Sequence, residues 1–115
     1  MKTIPEKWVV VSISKEGEET VYKVFGSWSG GYARGDSWRL NSGISGVYLE
    51  SENYRFSGYS GSHYVCNRKA YGFANNYAQS VLNNITEDAK KAGYTIEVLP
   101  KEHDFLRLLI NNKNK

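Results

Sequence analysis

Residues 74–99 read Ala74-Asn75-Asn76-Tyr77-Ala78-Gln79-Ser80-Val81-Leu82-Asn83-Asn84-Ile85-Thr86-Glu87-Asp88-Ala89-Lys90-Lys91-Ala92-Gly93-Tyr94-Thr95-Ile96-Glu97-Val98-Leu99, and they decide the fold class. Ala74, Tyr77, Ala78, Val81, Leu82, Ile85, Ala89 and Ala92 recur at three- and four-residue steps, which paints one apolar stripe along a helix. Gly93 supplies the stop, and Lys90 and Lys91 complement the negative end of the helix dipole. Thr95 to Leu99 then alternates as a strand, closed by Pro100.

Everything before Tyr71-Gly72 has a different character. Trp8-Val9-Val10-Val11-Ser12-Ile13 and Thr20-Val21-Tyr22-Lys23-Val24-Phe25 are β-branched or aromatic runs around Gly17, which predicts an antiparallel hairpin. A loop is predicted over 26–37 and a short strand over 37–40. Strands over 46–50, 54–59 and 62–66 follow, separated by the turn residues Glu52-Asn53 and Ser60-Gly61. Strands, one long helix and a further strand predict an α+β fold, an antiparallel meander with the helix packed across one face. Phe105-Leu106-Arg107-Leu108-Leu109-Ile110 reads as a short helix or a last strand. Residues 1–110 are expected to form one domain, with 111–115 as a frayed tail.

The chain has 115 residues, enough for a core without disulfide or metal staples. Its net charge of +3 permits an anionic partner without requiring one. Cys66 is the single cysteine, so an intramolecular disulfide is excluded and a reducing compartment is expected. No apolar run reaches the roughly 18 residues of a membrane span, and residues 1–7 lack a secretory apolar stretch, so the expected location is the cytoplasm.

The segment from Gly26 to Tyr71 concentrates glycine, serine, tyrosine, tryptophan and arginine. Tyr, Trp and Arg carry most binding energy at contact surfaces, while Gly and Ser allow tight turns and close approach. Within it, Trp28, Tyr32 and Trp38 offer flat faces, and Arg34 and Arg39 offer planar forks for phosphate or carboxylate. One stacked base is worth roughly 1–3 kcal/mol. Equally, Trp28 and Trp38 suit core anchors, with the arginines paired to Glu50 or Glu52. Around the Ser60-Gly61 turn, alternation puts Tyr54 and Phe56 on a core face and Arg55, Ser57 and Tyr59 on the other. That second set is expected to join the 34–39 segment on a binding face. The candidate ligand-binding residues are therefore Trp28, Tyr32, Arg34, Trp38, Arg39, Arg55 and Tyr59.

Other constellations carry less. Gly30-Gly31-Tyr32-Ala33-Arg34-Gly35-Asp36-Ser37 has P-loop spacing, but Asp36 stands where the phosphate-binding lysine belongs and would repel phosphate. Arg34-Gly35-Asp36 spells an integrin-binding tripeptide and Asn84-Ile85-Thr86 a glycosylation acceptor, neither meaningful in a cytoplasmic chain. Cys66, His63 and His103 cannot fill a four-ligand zinc site. His63 and Cys66, three apart on a strand, point to opposite faces, so Cys66 reads as a small buried hydrophobe. Asp36, Glu50, Glu52 and Asp104 form no recognisable acid–base pair. No catalytic residue, metal or cofactor is assigned.

Three stretches together resemble small uncharacterised proteins of tailed bacteriophages, including T4-type phages. They are Ile4-Pro5-Glu6-Lys7-Trp8-Val9-Val10-Val11, Gly26-Ser27-Trp28 through Ser37-Trp38-Arg39-Leu40-Asn41-Ser42-Gly43-Ile44, and Gly58-Tyr59-Ser60-Gly61-Ser62-His63-Tyr64 to Cys66. The resemblance implies the host bacterial cytoplasm during infection, where small phage proteins disable host enzymes or antiviral systems. The resulting expectation is a non-enzymatic inhibitor that sequesters an anionic, nucleotide-like ligand, in anti-defence or host takeover. The alternatives are a protein–protein inhibitor of a host or defence enzyme and a single-stranded nucleic-acid binder with steep salt dependence. Unpaired sheet edges add homodimerisation as an expectation.

Overall fold

A computed structural model describes residues 2–30 and 37–109. The fold is α+β, with the strands divided between two sheets and one helix packed against a sheet, followed by a strand. The strands are β1 (Lys2–Thr3), β2 (Lys7–Ser14), β3 (Val21–Trp28), β4 (Ser37–Leu40), β5 (Ile44–Glu50), β6 (Asn53–Gly58), β7 (His63–Asn67) and β8 (Thr95–Val98). Helix α1 spans Asn76–Lys91, and a single 3-10 turn covers Phe105–Arg107, so the C-terminal apolar run takes the helical option.

The first sheet has the order β4-β3-β2-β8 and the second β1-β7-β6-β5. The meander is thus cut between β4 and β5, at a corner over 41–43. Asn41 makes that corner by binding Val24 twice: its backbone N–H donates to the Val24 carbonyl at 3.0 Å and its Oδ1 accepts from the Val24 N–H at 2.9 Å. Gly43, at φ +133°, then redirects the chain. A Cβ there would stand 2.6 Å from the Tyr59 ring, so glycine is required twice over.

Gly26, Ser27 and Trp28 are strand residues and not the start of a loop: they continue β3 and pair with Arg39, Trp38 and Ser37 of β4. Residues 31–36, including Tyr32, Arg34 and Asp36, lie outside the described residues, as do 110–115. The two-residue β1 pairs in parallel with β7, Lys2 beside His63 and Thr3 beside Tyr64.

Burial follows strand alternation. Val9, Val11 and Phe25 face α1, where Ala78 and Leu82 are buried and Val81 and Ile85 partly so. The exposed Tyr77 lies outside that buried stripe. Trp8, Val10 and Val24 face the second sheet and meet Ile44, Phe56, Tyr64 and Cys66, with Phe105 and Leu108 closing one side. As read from parity, Phe56 is fully buried and Tyr54 packs beside it. Cys66 is a buried free cysteine, and burial pushes its thiol well above the ordinary range.

The helix is held at both ends. Asn75 Oδ1 accepts from the Ala78 N–H at 2.8 Å, an N-cap worth about 1 kcal/mol. The Gly93 and Tyr94 N–H groups bond back to the Lys90 and Ala89 carbonyls, a Schellman close.

Tyr71 completes the first sheet from outside it. Its hydroxyl donates to the Leu99 carbonyl at 2.6 Å and accepts from the Val10 N–H at 3.1 Å, bridging β2 to the end of β8. Burial raises its phenol to about 12, partly offset by the Val10 hydrogen bond. A phenol raised in the folded state supports stability fully below pH 10 and loses it as pH rises toward 12. Tyr71→Phe leaves both backbone groups unpaired and is expected to cost about 1–3 kcal/mol in urea unfolding. The variant should also lack the part of the alkaline stability loss that Tyr71 causes.

Candidate functional site

Residues 2–6 run as a strap from β1, at the edge of the second sheet, along the end of β3 in the first. Three contacts hold it. The Trp28 indole Nε1–H donates to the Ile4 carbonyl at 3.1 Å, and the Ser29 N–H donates to Glu6 Oε1 at 3.1 Å. Pro5 packs so closely on Gly26 that a Cβ there would stand 2.8 Å from Pro5 Cβ. Between the strap and the ends of β3 and β4 opens a cleft of about 820 Å³. The strap contributes Lys2, Thr3, Ile4 and Glu6, the end of β3 Trp28, Ser29 and Gly30, and β4 Ser37, Trp38 and Arg39.

Register decides what these side chains offer. Arg39 pairs with Gly26, and neighbours on a strand point to opposite faces, so Arg39 and Trp38 diverge. The Trp38 ring stacks on Phe25, with centroids 5.7 Å apart and planes 17° apart, which commits it to the helix face. It stays 39% exposed and borders the cleft from the strand edge. Arg39 is exposed on the inter-sheet side. Its guanidinium reaches far enough to act on Tyr64, whose hydroxyl is raised mainly by burial and drawn back by the Arg39 charge. Among the described residues neither Arg39 nor Lys2 has an ion-pair partner.

The candidates read from the sequence therefore separate. Trp28, Trp38 and Arg39 line the cleft. Tyr32 and Arg34 fall in the segment outside the described residues. Arg55 is not at the cleft: it sits on the outer face of the second sheet, between Tyr48 and Val65, and pairs with Glu50 at 3.3 Å. The sequence offered Glu50 as a partner for Arg34 or Arg39; among the described residues it pairs with Arg55 instead. Tyr59 is 65% exposed beside Gly43, at the β6–β7 turn, and does not line the cleft. The shared binding face expected for Arg55, Tyr59 and the 34–39 segment is not formed by the described residues.

Lys2 and Glu6 were missed by sequence reasoning. They come from a segment far from Arg39 in the chain; the parallel pairing of β1 with β7 places Lys2, and the β2–β3 register with the Ser29 hydrogen bond places Glu6.

Chemically, the described residues of the cleft set two cations, Lys2 and Arg39, against one carboxylate, Glu6, beside the indoles of Trp28 and Trp38 and the hydroxyls of Thr3, Ser29 and Ser37. Among the described residues no group of three or more His, Cys, Asp or Glu side chains converges as a metal site. Ser57 Oγ lies 3.5 Å from His63 Nδ1 on the outer sheet face, at the limit of a hydrogen bond. No helix of the described residues is long and apolar enough to cross a membrane.

Compared with family models, curated proteins and solved structures, the chain matches none.

Substitutions should divide the cleft's two neighbouring β4 residues by role. Trp38→Ala should lower stability by about 1–3 kcal/mol, because it removes the stack on Phe25. Arg39→Ala, at an exposed position with no ion pair among the described residues, should stay within about 0.5 kcal/mol of wild type. Chemical denaturation of the two variants checks both.

Proposed function

We propose that the protein is a non-catalytic binding protein that sequesters an anionic, nucleotide-like ligand in the cleft between the strap and the β3–β4 ends. The observation that carries this reading is the meeting of Arg39, Lys2 and Trp28 around a space of about 820 Å³, within the range of small-molecule sites. Arg39 has no ion-pair partner among the described residues, and in this reading its planar fork takes the phosphate. Trp28 has its polar atom satisfied by Ile4 and offers ring surface alone. In this reading the resemblance to small tailed-phage proteins supplies the setting: the infected bacterial cytoplasm, and host takeover or anti-defence as the purpose.

A second reading draws on a different surface. Strand β5 is the edge of the second sheet and exposes Tyr48 by 47% and Leu49 by 45%. Tyr48 and Leu49 point to opposite faces of that edge, and a strand edge with apolar side chains exposed on both faces suits strand addition by a protein partner, either a host or defence enzyme or a second copy of this chain.

Titration calorimetry with nucleoside monophosphates at low salt tests the first reading. Wild type is expected to bind, and Arg39→Ala to bind about tenfold or more weakly through loss of a charge-assisted contact. No heat with any nucleotide, together with a protein retained on the wild-type chain and lost with Tyr48→Ala/Leu49→Ala, would transfer the function to the β5 edge.

A further inference from the structure

Among the described residues Glu6 is the one carboxylate lining the cleft, and it bears on which base an anionic aromatic ligand would carry, given the nucleotide reading above. Glu6 lines the same cleft as Lys2 and Arg39. It is held in place, because its Oε1 accepts the Ser29 N–H at 3.1 Å. Its other oxygen accepts no hydrogen bond among the described residues. A fixed carboxylate only accepts hydrogen bonds. Glu6 is exposed, so water serves that oxygen in the free protein, and a ligand that displaces the water gains there only where it brings donors in exchange.

The four common bases differ at this point. Guanine presents two adjacent donors, N1–H and the N2 amino group, with no acceptor between them. Adenine and cytosine each place a ring-nitrogen acceptor next to the amino group, and uracil flanks its one N–H with two carbonyls. Each of those three sets a lone pair against the carboxylate. Only guanine gives a carboxylate two donors at once.

We infer that the cleft selects guanine nucleotides, with Glu6 accepting from the guanine N1–H and amino group, Trp28 against the base and Lys2 and Arg39 on the phosphate. The strap is then the specificity element. It carries both the base-reading carboxylate and one of the two phosphate-side cations.

The test is calorimetric titration of the whole chain with GMP, AMP, CMP and UMP, for wild type and Glu6→Gln. GMP is expected to bind about tenfold or more tightly than the other three, the effect of one or two charge-assisted hydrogen bonds. In Glu6→Gln the amide oxygen still serves the Ser29 N–H, while an NH₂ group replaces one acceptor. GMP should fall to the level of the others while AMP binding is retained, which also shows the strap intact. Equal binding of all four nucleotides overturns this inference and leaves the nucleotide reading standing. A GMP preference that survives in Glu6→Gln overturns the role of Glu6. No binding of any nucleotide overturns both.

Discussion

The indole of Trp8 is the fixed point of the structure. It is 1% exposed, its Nε1–H donates to the Asn67 carbonyl at 2.7 Å, and its ring meets Tyr54, Phe56, Tyr71 and Phe105. Those partners come from β6, from the crossing segment before α1 and from the 3-10 turn, so one side chain from β2 ties both sheets together. The Trp8 backbone adds to this: its N–H bonds to Ala70 and its carbonyl accepts from Gly72. Truncating a buried tryptophan costs about 3–5 kcal/mol in general, a large share of a small domain's stability. The strap begins immediately before this anchor. With Trp8 fixed, residues 2–6 have few places to go, and the Ile4, Pro5 and Glu6 contacts to β3 define the cleft wall.

Part of this was legible in the chain. The apolar stripe of α1, its Gly93 stop and the strand after it depend on local periodicity, and Ala78 and Leu82 are buried accordingly. The parity of Tyr54 and Phe56 and the burial of Cys66 follow from alternation on β6 and β7. The division into two sheets was not legible. It turns on Asn41 reaching Val24 across 17 positions, and nothing local in Leu40-Asn41-Ser42-Gly43 specifies that partner. Two-residue β1 likewise has no periodic signal, and its parallel partner lies about 60 positions away.

The candidate site shows the same limit more sharply. Trp38 and Arg39 both line the cleft, but the strand predicted over 37–40 turns adjacent side chains apart, so they border it from different faces. That signal was present in the sequence. The contribution of Lys2 and Glu6 was not, because it is a product of topology. What results is a cleft whose described residues carry two cations, Lys2 and Arg39, and one carboxylate, Glu6. Arg39 and Lys2 are exposed and have no ion-pair partner among the described residues, and exposed charges of that kind contribute little to folding.

The most direct test of the central claim is an amide and indole NMR titration of the protein with GMP. The chain has three tryptophans, and each indole N–H reports on a different place: Trp8 in the core, Trp38 on the helix face and Trp28 at the cleft. The account predicts that the Trp28 indole and the Ser29 and Arg39 amides shift while the Trp8 indole does not. Shifts confined to Tyr48, Arg55 and Tyr59, or none at all, would contradict it.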